Sequence, residues 1–357
     1  MDIWHIIPST NHGGHETFAR SLISNYPEKI KHTVFSTSNI DGIMSNDFCL
    51  ISELKKLSVH KNFKTIFNYF RLFIKKRPKA IIIHTFNTSL FSFILISRLF
   101  MVKKVIITVG NPPPKKYIFQ IKIYIKILKY LGIPLIFCSE YILNEYKNIS
   151  KLPNKSINIR HGCDLNEVNL NQEKVNNINL EKKFFTITMV ARLDFIKDHE
   201  TLIRSFLDIN YKNWRLNLVG DGIAMKYLKD LVDLLDGNQK VKFLGSRNDI
   251  KDLLKETDIF AFSTTAEEGF GIALIEALSV GCPIIASDVP ACNEVLINGS
   301  GGILVSPGDL NNWKENLKEI MDSEDKRKFL SKKAFEISKF YDIKFISKKY
   351  RDFISAI

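Results

Sequence analysis

Residues 258–288 read DIFAFSTTAEEGFGIALIEALSVGCPIIASD, and their order decides the fold. An apolar run, DIFAFST (258–264), comes first. A polar loop with Gly269 and Gly271 follows, then aliphatic residues at helical spacing, then Gly281, then a second apolar run, PIIASD (283–288). Runs that are continuously apolar, rather than alternating, belong to strands covered on both faces, as in a parallel sheet with helices above and below. The spacing predicts a helix over 272–280 with Gly281 as its C-cap. Gly269 and Gly271 allow a tight turn and close backbone approach. The unpaired amides at such a helix start make an anion site.

The same alternation extends in both directions. Candidate strands lie at 2–8, 32–37, 80–86, 104–110, 134–139 and 156–162, then at 184–192, 215–222, 240–245, 258–264, 283–288 and 301–306, with helical periodicity between most of them. The set splits where NEVNLNQEKVNNINLEKK (166–183) is polar and weakly periodic, which reads as a linker. A chain of 357 residues exceeds the usual single domain of up to about 250–300 residues. The expected fold class is α/β, with two Rossmann-like doubly wound domains, 1–165 and 166–339. In such folds ligands sit beyond the C-terminal ends of the strands.

Composition narrows the partners. The net charge is +13, and residues 1–165 alone hold 24 Lys/Arg against 9 Asp/Glu. One-sided charge of this kind speaks of partners, and anionic lipid and nucleic acid are the two candidates. No recognised nucleic-acid module is visible, so the expectation is an anionic membrane surface and no nucleic acid. PPPKKYIFQIKIYIKILKYLG (112–132) sets Lys122, Lys126 and Lys129 on one helix face, and KNFKTIFNYFRLFIKKRPK (61–79) is of similar character. Helix by helix, a solvated lysine face over a packed apolar face is the simpler reading; it is the charge of the whole half that points to a membrane. No run reaches the roughly 18 apolar residues of a membrane span. The first residues lack a basic leader, and five scattered cysteines form no CxxC pair, which suits a reducing cytoplasm.

Glu268 and Glu276 bracket the glycine turn. Alone, the first reads as a charge at a helix start and the second as a solvated helix residue. Together they resemble the E-x7-E signature of the family 4 retaining glycosyltransferases, group 1 type, which have the GT-B fold of two Rossmann-like domains facing a central cleft. VARLDFIKDHETLIRSF (190–206), LVGDG (218–222), VKFLG (241–245), SDVPACNEVL (287–296) and GGILVSPGD (301–309) are similar to further family segments in the expected order, as are STNHGGHETF (9–18) and IRHGCD (159–164) in the first half.

The resemblance implies a nucleotide-diphosphate sugar held by the second domain. Arg192 and Lys197 match the pair that binds the diphosphate, with Lys197, Arg192 and Glu268 as the catalytic group. Glu276 matches the acceptor of ribose hydroxyls and Glu268 the residue that contacts the donor sugar. Gly269, Phe270, Gly271 and Ile272 would line phosphate and sugar, Gly245 would sit near the base, and Gly13 and Gly14 would form a phosphate or acceptor loop. A segment at 340–357 is implied to return to the first domain. No D-x-D is present, so the implied chemistry is metal-independent and needs no cofactor beyond the co-substrate. A leaving diphosphate develops negative charge, which two cations and helix-start amides would stabilise. The implied activity is transfer of a hexose-type sugar to a glycan or polyprenyl-diphosphate-linked acceptor in bacterial surface polysaccharide synthesis (O-antigen or lipopolysaccharide, capsule, exopolysaccharide), peripheral on the cytoplasmic membrane face. Two departures stand out: Gly110 and Asn111 occupy the place of a cleft histidine common in the family, and His161 replaces an asparagine. His84 is expected at the cleft edge and His199 as a polar helix-start residue. A nucleotide-sugar epimerase or phosphorylase on the same fold, and a non-enzymatic anion-binding protein, are the competing readings. The GxGxx starts at 220–225 and 269–274 lack the rest of a dinucleotide fingerprint.

Overall fold

The computed structural model describes residues 2–11, 13–38, 40–59, 62–165, 184–209 and 211–357. The stretch 166–183, expected as a linker, lies outside them. Two units emerge, Met1–Gly162 with Ile343–Ile357, and Cys163–Asp342.

The first unit is a seven-stranded parallel sheet of order β3-β2-β1-β4-β5-β6-β7. Its strands are β1 (Asp2–Ile7), β2 (Lys31–Ser36), β3 (Glu53–Lys56), β4 (Ala80–Ile83), β5 (Lys104–Val109), β6 (Leu135–Phe137) and β7 (Ile157–Asn158). The second unit is a six-stranded parallel sheet of order β10-β9-β8-β11-β12-β13, with β8 (Phe185–Val190), β9 (Trp214–Val219), β10 (Val241–Gly245), β11 (Ile259–Phe262), β12 (Ile284–Ser287) and β13 (Ile303–Val305). Both are doubly wound. All twelve apolar runs form strands. The strand that the pattern missed is β3, whose sequence ELKK is charged. It lies at the sheet edge and pairs only with β2, where charge protects an open edge rather than a buried face.

In the first unit the strand order reverses between β1 and β4, and in the second between β8 and β11. These switch points leave a crevice beyond the strand ends, so the loops after β1, β4, β8 and β11 are the places for a ligand.

Local packing fixes those loops. After β8 the helix His199–Asp208 buries Leu202, Ile203 and Phe206 on one face. Each such side chain contributes about 2 kcal/mol on leaving water. The helix Ile272–Ser279 follows β11 and ends one residue earlier than expected. Val280 is its cap, and Gly281 takes the left-handed conformation with φ +62°. The helix Ile343–Ala356 packs within the first unit: Tyr350 is fully buried, and Ser347 Oγ donates to Asn25 O at 3.3 Å.

Candidate functional site

The crevice of the second unit is built from three post-strand loops. After β8, Ala191 N donates to Val219 O and Leu193 N to Asp221 O, so this loop runs hard against the one after β9. Two glycines of LVGDG make that possible: a Cβ at Gly220 would stand 2.0 Å from Ala191 O, and one at Gly222 2.3 Å from Leu193 O. The chain then makes a single 3-10 turn, Phe195–Lys197, and Asp198 Oδ1 accepts from Thr201 N at the helix start. The loop after β11 is pinned to this turn. Thr265 N and Thr264 Oγ1 both donate to Ile196 O, at 2.8 and 3.0 Å, while Thr264 N donates to Ser287 Oγ at 2.8 Å at the end of β12.

That framework brings together two residues 71 positions apart. The Lys197 ammonium donates to the Glu268 carboxylate, and both side chains are largely buried. The ammonium also lies 4.9 Å from the centroid of the Phe262 ring. The other Glu268 oxygen accepts from Gly269 N at 2.9 Å and Phe270 N at 3.3 Å. Burial pushes the Glu268 carboxyl pKa up, but Lys197 and the two amides outweigh it and the net is below the ordinary value. A carboxylate offers about four acceptor positions. Three are taken among the described residues, which leaves one acceptor position on Glu268.

Beyond Glu268 the backbone turns. Phe270 is buried against Tyr341, ring centroids 6.1 Å apart, and Gly271 adopts φ +82°, a left-handed conformation that glycine takes without strain. Ile272 opens the helix with no side chain capping it. Its start therefore presents amide dipoles to the crevice beside the Lys197 cation. Glu276 lies one turn further in and half-buried. Burial, and after it the Glu276 charge, drives the Cys163 thiol up to about 12, so this cysteine stays a thiol, donating to Ile275 O at 3.4 Å.

Arg192 is the most exposed of the expected residues, at 70%, and its Nε donates to Asp194 Oδ2 at 2.8 Å. Gly245 ends β10 at φ +66° with open space where a side chain would be, and its carbonyl accepts from Gly220 N at 2.8 Å. Arg192, Lys197, Gly245, Glu268, Gly269, Phe270, Gly271 and Ile272 therefore all stand at or just beyond the C-terminal ends of β8, β10 and β11, with Gly245 closing β10 and Ile272 opening the helix after β11.

Gly13 and Gly14 belong to the first unit, after β1. Gly13 is extended and precedes the helix Gly14–Ser24. The Glu16 carboxylate turns back over this start, accepting from Ser9 N at 3.2 Å and Ser9 Oγ at 2.9 Å. A Cβ at Gly13 would lie 2.4 Å from Glu16 Oε2. Glycine here makes room for that carboxylate. Gly110 does the same for His15, whose ring stands 2.3 Å from where a Cβ would be. An imidazole thus lies at the end of β5 even though residue 110 has no side chain.

His84 differs from expectation. It is fully buried, with its Nε2 3.0 Å from His5 Nδ1, and His5 Nε2 lies 3.0 Å from His32 Nδ1. The alternation of β1, β2 and β4 sends all three to the same sheet face, which a strand-by-strand reading cannot show. Burial holds His5 well below its ordinary pKa and takes His84 down to about 3, so both rings are neutral. His199 opens its helix as expected, but it is 2% exposed and neither ring nitrogen has a partner among the described residues, and burial followed by the Lys197 charge lowers it to about 3.

This architecture is the GT-B fold, two parallel-sheet Rossmann-like units. Residues 171–337, within the second unit, match the family described as "Glycosyl transferases group 1". The chain is 29% identical over 197 residues to the N-acetylgalactosamine-N,N'-diacetylbacillosaminyl-diphospho-undecaprenol 4-alpha-N-acetylgalactosaminyltransferase of Campylobacter jejuni, covering 55% of this chain and 52% of that one. It is 25% identical over 228 residues to the N,N'-diacetylbacillosaminyl-diphospho-undecaprenol alpha-1,3-N-acetylgalactosaminyltransferase of the same organism, covering 60% and 59%. The chain thus spans about half the length of the curated relatives it matches. Among solved structures, Anabaena Alr3699/HepE in complex with UDP and glucose superposes with a TM-score of 0.84 at 18% identity, over 100% of both chains.

Proposed function

We propose that the protein is a retaining, metal-independent glycosyltransferase of family 4. It would move a hexose-type sugar from a nucleoside-diphosphate sugar to a glycan or polyprenyl-diphosphate-linked acceptor of a bacterial surface polysaccharide. The buried Lys197–Glu268 pair beside an uncapped helix start carries the reading. An ammonium and aligned amides suit a diphosphate, and one spare carboxylate position suits a sugar hydroxyl. The neighbour's complex with UDP and glucose, and the lipid-linked acceptors in the names of the Campylobacter relatives, support this choice.

In the proposed reaction the acceptor hydroxyl forms a bond to the anomeric carbon as the bond to the diphosphate oxygen breaks. The electron pair leaves with the diphosphate, and the hydroxyl proton passes to a departing phosphate oxygen on the same face. Lys197, Arg192 and the amides of the Ile272–Ser279 helix start hold the growing charge in place without moving. Glu268 orients the sugar, Glu276 accepts from the ribose, and Gly245 leaves space for the base. The basic first unit would bring the protein to an anionic membrane where a lipid-linked acceptor resides.

A thermal-shift panel of UDP-, GDP- and ADP-sugars tests the reading. Saturation at a hundred times Kd adds about 2.7 kcal/mol, a shift of several degrees. No shift with any donor would contradict it. Conversion of the donor to an isomer without an acceptor would favour an epimerase.

A further inference from the structure

From Leu54 to Ser139 the chain has 17 Lys/Arg and no Asp or Glu in 86 residues. That stretch begins at the sheet edge, where the C-terminal ends of β2 and β3 meet the helix Phe63–Lys75. There the first unit holds a cavity of about 720 Å³. Small-molecule sites run from about 300 to 1,000 Å³, so it has room for a ligand. The site built on Lys197 and Glu268 belongs to the second unit and shares none of its residues.

Its floor is apolar: Phe35, Leu57 and Tyr69, all nearly buried, with Leu72 beside them. Hydrogen bonds fix its walls. Thr37 N donates to Ile7 O at 3.0 Å and Thr37 Oγ1 to Pro8 O at 2.9 Å, which ties one wall to the loop that leads from β1 to Gly13 and Gly14. Leu57 N donates to Ser36 O at 2.8 Å, Ser58 Oγ lies 3.2 Å from Thr65 Oγ1, and the Tyr69 hydroxyl donates to Ser58 O. The loop after β3 is thus held against the helix start instead of collapsing onto the floor. An apolar floor left wet gives up burial energy, which the apolar face of a ligand would restore. The rim is polar and of one sign. Ser38, Lys56 and Asn68 are exposed there, and among the described residues no carboxylate lines the cavity. Glu53 pairs with Lys55 and Lys76, which answers the charge of Lys55. Among the described residues Lys56 has no carboxylate partner and the Asn68 side chain no hydrogen-bond partner. The nearby helix start is capped by Asn62, whose Oδ1 accepts from Thr65 N at 2.9 Å.

We propose that this cavity is a subsite for a carboxylate-bearing sugar unit of the acceptor glycan. The Lys56 ammonium meets the carboxylate, Asn68 and the rim hydroxyls meet ring hydroxyls, and the apolar floor lies under the C–H face of the ring. The reading rests on the glycosyltransferase function proposed above and names the chemistry of its acceptor. A sugar ring has the mixed character of these walls, and one unanswered ammonium matches one carboxylate. A neutral sugar would leave Lys56 without a partner. A nucleoside diphosphate asks for more cations or for open helix-start amides, and here Asn62 already occupies the start of the helix.

Ligand-observed NMR titration of the full chain tests this. The probes are short oligosaccharides bearing glucuronate, galacturonate or N-acetylneuraminate, each beside the same oligosaccharide with its carboxyl groups reduced to alcohols. At least one acidic probe should bind about tenfold tighter than its reduced form. Lys56→Ala should erase that preference, and Lys56→Arg, which keeps the charge, should retain it. Ser38→Trp should fill the cavity and weaken acidic and reduced probes alike. Both positions are exposed, so the substitutions leave the core intact. Equal binding of acidic and reduced forms, an acid preference that survives Lys56→Ala, or no binding of any probe would overturn the proposal. So would inorganic phosphate that binds through Lys56 as tightly as the acidic probes. Nucleotide-sugar thermal shifts on the wild type separate the two readings. Acidic probes bound without any donor shift leave the cavity as a glycan site, and the transferase reading falls. A donor shift with no acidic probe bound keeps the transferase and removes the subsite.

Discussion

Beyond β8 and β11 the protein buries a carboxylate against an ammonium; across β1, β2 and β4 it buries three imidazoles against one another. Both are polar groups removed from water on parallel sheets, but they are kept by opposite means. Lys197 and Glu268 hold their charges because each supplies the other's counter-charge. Among the described residues His5 and His84 have no counter-charge, so burial leaves them neutral, and their hydrogen bonds couple the tautomers along the row. A bond from His5 Nδ1–H to His84 obliges His32 to donate to His5; the reverse orientation obliges the opposite.

The largest test breaks the charged pair. Lys197→Ala leaves a buried carboxylate alone, which costs about 3–5 kcal/mol, and removes a cation from the leaving group, for a loss of about 10²–10³ in turnover. Denaturant midpoints and donor turnover measure the two losses. Lys197→Met with Glu268→Gln should restore the midpoint and leave turnover low. Recovery of turnover would show that the charges serve the fold alone.

Acid tests the buried imidazoles next, His32 and His199, lowered to about 4 and about 3, titrating in the same window as His5 and His84. His5 and His84 have depressed folded pKa values against an ordinary 6.5, so their neutral burial is fully stabilising above pH 6.5 and is lost as pH falls toward the folded values. His84, taken down to about 3, gives up about 1.4 kcal/mol per pH unit, roughly 2 kcal/mol by pH 5, and His5 adds to the loss in the same direction. Glu268 is also depressed, against 4.5, so its share is intact at pH 5 and is lost only below about pH 4.5. Urea midpoints at pH 7, 6 and 5 should fall steadily. A flat profile would mean that the imidazoles charge freely in the folded chain.

His5→Leu sharpens the same contrast at neutral pH. It strands His32 Nδ1 and His84 Nε2, at about 1–3 kcal/mol for each unsatisfied group. A midpoint unchanged at pH 8 would remove the row's structural role. The smallest effect belongs to Arg192→Ala. A side chain so exposed should move stability by no more than about 0.5 kcal/mol, while the affinity for a nucleoside diphosphate drops about tenfold. Equal affinity in the variant would retire Arg192 from the site.

The same contrast explains what could be read in advance. Runs such as AIIIHTF and DIFAFST announce buried parallel strands because their centres, AIII and IFAF, are continuously apolar, and Gly281 announces the end of a helix. ELKK announces nothing, since an edge strand needs no apolar face. The glycine turn and Glu268 were visible locally. Their bond to Lys197 was not, because it depends on β8 and β11 being neighbours across 71 residues. The histidine row was invisible for the same reason: His5 and His84 are 79 residues apart and meet only through the register of β1 with β4.

The central claim is that the Lys197–Glu268 loop holds a nucleoside diphosphate. Calorimetric titration of UDP, GDP and ADP into the wild-type protein and Lys197→Ala, at a pH and temperature where both are folded, tests it most directly. Binding of one diphosphate to the wild type, weakened at least a hundredfold in the variant, is the predicted result. Equal binding by the two proteins, or binding of none of the three to the wild type, would contradict it.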